Sequence, residues 1–293
     1  MKKRWLTNLV LLLLVAGIAV FLYFSPQEEV QTEQSYDLSS LKLGDFSSVR
    51  VEFPAKAPVV FEKRDGYWYM VKPHEARADQ PSVQRILSLI AATSAEKFPA
   101  DNLSQFGLDN PDVKVKLDNE EFLFGIYNPV SGRQYVAYKD AVYLVDPIYS
   151  ESASIQTIEL VSKHPFKPGE KIAGFDLSRL EQWEDIRLQV DLVDGNWKIS
   201  APDAKPDPNL MNEWLDFYWK QASARSVEFY TPDRKVSYPS VEVKLQDGSK
   251  VHFDKIQESP ELLLGRPDEG IIYHFPPDTG FTMLNPPIGL PKK

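Results

Sequence analysis

From Trp5 to Phe24 the chain runs twenty residues without a charge. A helix of that length is about 30 Å long at about 1.5 Å per residue, the hydrocarbon thickness of a bilayer. Lys2, Lys3 and Arg4 precede the run, and Glu28 and Glu29 follow it. Trp5 at one end and Tyr23 with Phe24 at the other fall where interfacial aromatic belts sit. Basic flanks stay cytosolic, so the pattern predicts a single-pass signal anchor within residues 1–24. The N-terminus is then cytosolic and the remainder extracytoplasmic. A cleaved signal peptide is the alternative, but its apolar stretch is about 7–15 residues and ends in small residues at the cut. Here bulky Phe21, Leu22, Tyr23 and Phe24 follow Ala16, Gly17 and Ala19. Residues 25–35 read as a polar linker.

Beyond the linker the hydrophobic pattern repeats itself at an offset of about 128–129 residues. Gly66-Tyr-Trp68 recurs as Gly195-Asn-Trp197, Asp79 as Asp207, and Pro111-Asp-Val-Lys-Val-Lys-Leu117 as Pro239-Ser-Val-Glu-Val-Lys-Leu245. Tyr36–Leu41 resembles Phe175–Leu180 at a slightly larger offset. Such self-similarity marks a duplicated structural unit. Each copy opens with period-two alternation, the half-buried strand pattern: Val49, Val51 and Phe53 in one, Ile186, Leu188 and Val190 in the other. Asp65-Gly66 and Asp194-Gly195 are hairpin signals. Helices follow at Ser82–Ala92 and Leu210–Gln221, each with apolar residues on one face. Strands are predicted at Val113–Leu117, Gln134–Tyr138 and Val142–Val145, and again at Val241–Leu245, Leu262–Leu264 and Ile271–Phe275. A helix over Pro147–Ser162 joins the copies, and the tail from Asn285 to Pro291 is extended. The expected fold is α+β: a transmembrane helix, then two modules of mostly antiparallel strands with one packed helix each, over residues 36–165 and 166–293.

Composition narrows the function. The net charge is −9, and the tightest basic cluster belongs to the anchor. Nucleic-acid binding needs a basic patch, and the soluble part shows none. The chain has no cysteine, which removes disulfides, thiolate metal sites, cysteine nucleophiles and lipidated cysteine. At 43% apolar and 26% charged, the composition is that of an ordinary globular protein.

The repeated unit resembles a known family. Phe61-Glu-Lys-Arg-Asp-Gly-Tyr-Trp68, Pro73, Asp79, Phe106-Gly-Leu-Asp-Asn-Pro111 and Gln134-Tyr-Val-Ala-Tyr138 are similar to the bacterial domain of unknown function 4340 family. Its hallmark is a Gly-Leu-x-x-Pro step before a strand. Copy two departs from it, because Tyr230–Pro239 lacks the Phe-Gly-Leu step. The resemblance implies a membrane-anchored envelope protein, some of whose relatives accompany transporter or gliding-motility components. It implies no catalytic residues and no cofactor.

Candidate chemistry is sparse. His74, His164, His252 and His274 lack metal-motif spacing. Pro168-Gly-Glu-Lys171 lacks the second glycine and the Ser/Thr of a phosphate loop and reads as a turn. Asp79 and Asp207 could do acid–base work, yet both stand directly before helices, where Asp caps free amides. Trp68 and Trp197 lie in alternating strands and read as core residues rather than a glycan platform. Trp219 falls at the edge of an aromatic helix stripe, which predicts partial exposure and a partner contact. The pattern points to a non-enzymatic binding or scaffold protein of the inner membrane, contacting a protein partner such as a transporter or envelope complex. Two alternatives are an auxiliary transporter subunit binding a small ligand or glycan between the modules, and a hydrolase with dispersed carboxylates.

Overall fold

A computed structural model describes residues 2–24, 35–233 and 235–291. Within the N-terminal helix, side chains are described only at positions 9 and 11–21. The linker residues 25–34 and the side chains of Trp5, Tyr23 and Phe24 lie outside the described residues. The backbone from Lys2 to Phe24 forms one helix, α1. Its described side chains, from Leu11 to Phe21, are all exposed. Among the described residues no helix is long and apolar enough to cross a membrane.

The body holds two large antiparallel sheets and a small two-stranded one. The strands of the first half are β1 (Tyr36–Asp37), β2 (Ser48–Phe53), β3 (Lys56–Arg64), β4 (Tyr67–Lys72), β5 (Ala76–Arg77), β6 (Thr93–Ser94), β7 (Lys97–Pro99), β8 (Val113–Leu117), β9 (Glu120–Tyr127), β10 (Gln134–Tyr138) and β11 (Ala141–Val145). Those of the second half are β12 (Ile172–Asp176), β13 (Gln189–Val193), β14 (Asn196–Ile199), β15 (Ser226–Phe229), β16 (Ser240–Leu245), β17 (Lys250–Gln257), β18 (Leu262–Arg266) and β19 (Ile271–Phe275). Sheet one runs β5-β4-β3-β2-β8-β9-β10-β11-β7, sheet two runs β14-β13-β12-β16-β17-β18-β19-β15, and the small sheet is β1-β6. Apart from β5, the two orders coincide strand for strand, so the sequence repeat is a repeat of topology. Both Asp-Gly hairpins adopt the paired positive φ of a type I′ turn, with Asp65 and Gly66 at 51° and 84° and Asp194 and Gly195 at 50° and 77°.

Strand register corrects part of the repeat. Val51 faces Val115, and Phe175 faces Val243. Phe175 therefore corresponds to Val51, not to Tyr36, which pairs with Ser94 in a separate two-stranded sheet. Of Ile186, Leu188 and Val190, only Val190 lies in a strand, β13, the second of copy two, while Ile186 stands in the turn before it; the first strand, β12, escapes the periodicity. A register shift between Ile172 and Gly174 breaks the alternation. A Cβ on Gly174 would also lie 2.4 Å from Asp191 Oδ1.

Each module carries two helices rather than one. α2 (Gln80–Leu87) and α3 (Ile148–Ser154) serve the first; α4 (Pro208–Leu215) and α5 (Pro277–Leu284) serve the second. The predicted Pro147–Ser162 helix is only α3 and a short 3₁₀ turn, Thr157–Leu160. α5 had no clear signal, because its Pro277-Asp-Thr-Gly280 start reads as a turn. Tertiary contacts hold it: the indole N–H groups of Trp214, Trp219 and Trp183 donate to the carbonyls of Thr282, Met283 and Leu284 at 2.7, 3.2 and 2.8 Å. Three consecutive carbonyls at the end of the helix thus accept from aromatic donors. One buried apolar cluster runs through both modules, from Leu38 and Val49 to Phe275 and Ile288.

Candidate functional site

The residues that the sequence singles out serve the fold. Asp79 caps α2 by accepting from the Ser82 amide at 3.0 Å and the Ser82 hydroxyl at 2.6 Å. Asp207 caps α4 by accepting from the Asn209 amide at 2.9 Å. Trp68 is buried against the first core. Trp197 is half-buried, with its indole N–H donating to Asn212 of α4 at 2.9 Å. Trp219 is the clear correction: it is 0% exposed. The helix passes from α4 into a π turn over Asp216–Lys220, which accommodates an extra residue per turn. Trp219 is thereby rotated into the core, packing on Phe175 at 4.8 Å between ring centroids, and Phe217 faces outward instead. Trp219 is therefore not the partly exposed residue that the apolar stripe predicts.

The histidines are scattered. His74 packs on Phe229 with centroids 4.1 Å apart. His164 Nδ1 lies 3.0 Å from the Ala222 carbonyl, and His252 lies 3.0 Å from Asp254. His274 sits beside Glu228 and Glu261. Among the described residues no group of three or more His, Cys, Asp or Glu could hold a metal ion.

Polar side chains converge instead at the seam between the modules. The chain segment 160–163 lies between the two sheet edges. Asp79 N–H donates to Leu160 O at 2.7 Å, Ser162 N–H to Arg77 O at 2.8 Å, and Ala224 N–H to Lys163 O at 2.8 Å. Arg77 of β5 reaches across this segment into module two. Its guanidinium donates to Glu269 at 2.6 and 2.8 Å, to the Tyr273 hydroxyl at 2.9 Å, to the Phe166 carbonyl at 2.8 Å and to the His164 carbonyl. Arg77 and Glu269 side chains are each 8% exposed. Arg266, in β18, is 1% exposed. It donates to Glu170 at 2.6 and 2.8 Å, to Asp268 at 2.9 and 3.1 Å, and to the Pro165 carbonyl at 2.6 Å.

The electrostatics follow from this packing. Burial works against the charge on Arg77 and Arg266, but carboxylates outweigh it and hold both guanidinium groups above their ordinary range. Burial, reinforced by Glu269, raises the Tyr273 hydroxyl, which stays neutral and donates to Glu269 at 2.9 Å. Burial alone would raise the Asp268 carboxyl, yet Arg266 and Lys167 hold it below the usual carboxylate range. Two buried cations with bidentate partners make a clamp, because removing either partner strands a buried charge. The sequence carried one trace of it. Leu262, Leu264 and Arg266 share the inward face of one strand, and an inward arginine in an apolar run needs a buried partner. Arg77 and its partner Glu269 are 192 positions apart, so their pairing had no local sign.

Beside the clamp lies a cleft of about 340 Å³. Tyr67, Trp68, Tyr69 and Gln80 line it from module one; Lys167, Glu170, Lys220 and Ala222 line it from the other side, with His164 and Phe166 between. Gln80 is fixed there, accepting from the Trp68 amide at 2.8 Å and donating to the Trp68 carbonyl at 3.0 Å. The indole N–H of Trp68 is buried without a hydrogen-bond partner among the described residues. Arg77 borders the cleft, but its donors are already engaged within the protein. The volume lies within the range of small-molecule sites, about 300–1,000 Å³.

The architecture defines a class: a duplicated α+β body in which two modules of one topology are clamped at a seam. The model of a family described as Domain of unknown function (DUF4340) matches residues 68–267, more than half of the chain, and the chain belongs to that family. The matched region runs from the cleft-lining Trp68 through both sheets to the residue after Arg266. No curated protein and no solved structure matches the chain.

Proposed function

We propose that this chain is a non-catalytic binding protein of the cell envelope, tethered to the inner membrane by α1, whose two modules act as one rigid body. Its ligand is a small polar molecule or glycan held in the seam cleft. The observation that carries this reading is the cleft, where aromatic rings and polar groups from both modules face one space. Sugars are commonly held by aromatic faces together with fixed hydrogen-bonding groups, and Tyr67, Tyr69, Lys167 and Lys220 offer that combination. Trp219, being buried, contributes nothing to an apolar docking face. A transporter or another envelope complex in the same membrane is the natural recipient of such a ligand.

The test is a thermal-shift screen of the detergent-solubilised full chain against oligosaccharides and small polar metabolites, repeated with Tyr67→Ala and Lys220→Ala. Both side chains border solvent, so neither substitution threatens the core. A ligand that raises Tm for the wild type but not for the variants supports the cleft. A ligand that stabilises all three equally binds elsewhere, and a screen without hits overturns the small-ligand reading. The tether is tested by blotting membrane fractions for a C-terminal tag. A soluble mature form beginning near residue 25 would refute it.

A further inference from the structure

The tip of the β9–β10 hairpin is the most exposed apolar feature of the body. Val130 is 95% exposed, and Ile126 and Tyr127 are each 49% exposed. The tip is also well ordered. The Asn128 side-chain carbonyl accepts from the amides of Val130 and Ser131 at 2.9 and 3.3 Å. The Asn128 amide closes the loop onto the Arg133 carbonyl at 2.7 Å. From Ile126 to Arg133 there is no carboxylate, and the single charge is Arg133.

Two observations say what this tip faces. Ser35, where the described body begins, lines the same cleft as Arg133, Asp146 and Tyr149. The chain thus enters the body beside the root of the hairpin. Residues 25–34 are all that separate Phe24 from Ser35, a reach of at most about 40 Å at about 3.3–3.6 Å per residue. The second observation is the repeat itself. The equivalent hairpin of module two, between β17 and β18, carries Glu258 and Glu261. One loop of one topology is acidic in one copy and apolar in the copy that the N-terminal segment enters.

We infer that the β9–β10 tip is a second membrane contact, with Val130, Ile126 and Tyr127 at the boundary of headgroups and acyl chains and Arg133 against lipid phosphates. Apolar side chains bury there, tyrosine favours that depth, and arginine pairs with phosphate. The short tether raises the local concentration of lipid, so a contact too weak to hold a free protein suffices here. This inference rests on the anchor reading of α1. Its consequence is orientation: the body is held at two points and stands on the membrane in one pose.

The chain has no cysteine, so Val130→Cys gives a single labelling position without removing a core residue. Asn119→Cys, in the turn at the other end of the eight-residue β9, is the control, about 26 Å away at about 3.3 Å per residue. Both full-length variants are labelled with an environment-sensitive fluorophore and reconstituted in phosphatidylethanolamine–phosphatidylglycerol vesicles. At position 130 the emission shifts to the blue and brominated lipid quenches it several-fold more than at position 119. Val130→Asp, read through a label at Ser131→Cys, abolishes the shift. Carbonate extraction of the same vesicles reports on the anchor separately. Protein retained by the vesicles with an unquenched label at 130 overturns the hairpin contact and leaves the anchor standing. Protein released by carbonate overturns the anchor, and with an unquenched label it overturns both. A shift seen in native membranes but absent from pure lipid overturns the lipid contact in favour of a protein neighbour.

Discussion

The two modules share a strand order and differ in what covers the outer face of each sheet. In module one, Phe106, Leu108, Ala137 and Val142 form a small second core, with Phe98, Leu103, Leu123 and Tyr135 packed around it. The Phe-Gly-Leu step makes this possible. Gly107 holds φ at 67°, and a Cβ there would lie 2.6 Å from Ile126 Cγ2. Gly125 lets the same loop descend onto the sheet, since a Cβ would meet the Phe106 carbonyl at 2.1 Å. Module two lacks the step and fills the face with polar groups. Tyr230 donates to Asp254 at 2.7 Å, and His252 lies on the other oxygen of that carboxylate. Gly265, in the place of Ala137, leaves room for the Tyr230 ring. Topology is thus indifferent to whether a sheet face is closed by apolar packing or by hydrogen bonds, provided each buried polar group has a partner.

The sharpest way to break the comparison is to cut what the modules share. Arg77→Met takes the bidentate partner from buried Glu269 and leaves it only the longer contacts to Arg266 at 3.7 Å and Lys167 at 3.9 Å. Breaking a buried pair in this way costs about 3–5 kcal/mol. If the seam couples the modules, denaturant unfolding of the full chain should show one transition in the wild type and two in the variant. An unchanged midpoint would mean that the seam does not couple the modules.

Tyr230→Phe acts on module two alone. It removes a hydrogen bond to the carboxylate of Asp254, which is 8% exposed. The expected loss is about 1.5–3 kcal/mol. Hydrogen exchange should report it in β17 and β18 and leave β9 and β10 protected. Equal losses in both sheets would show the outer faces to be linked.

The caps give a smaller and graded effect. Asp79→Ala and Asp207→Ala each cost about 0.5–2 kcal/mol. Asp79 carries two bonds and Asp207 one, so the first substitution should shift the denaturant midpoint more. The reverse order would place the stronger cap in module two.

The smallest effect is a pH dependence at the seam. The Asp268 carboxyl is held below its ordinary range, so the folded protein binds that proton less tightly than the unfolded chain. Its stabilisation is present above the unfolded value of about 4 and is lost as pH falls through the lower folded value. The side chain is 52% exposed, which limits the contribution to less than about 1 kcal/mol. Asp268→Asn should flatten the acid limb of the stability curve slightly below about pH 4; an identical limb would assign the acid sensitivity to other carboxylates.

Strands that alternate cleanly could be located in the sequence. Gln134–Tyr138 and Ile271–Phe275 occupy the predicted residues, and Asp65-Gly66 and Asp194-Gly195 make the predicted turns. β12 was hidden because its register shift and Gly174 erase the alternation. α5 was hidden because its stability comes from three distant indoles. The seam was nearly silent: inward-facing Arg266 hinted at a buried partner, but nothing local pointed to Glu170 or joined Arg77 to Glu269.

What the sequence determined by itself was the repeat, the element types, the α+β class and the helix caps, because these depend on periodicity and on neighbours within a few residues. The tertiary structure alone decided that Trp219 is core, that each module carries a second helix, and that a cleft opens where the modules meet. Those outcomes depend on groups up to 192 positions apart meeting in space, and no local pattern records which distant side chain will fill or charge a given position.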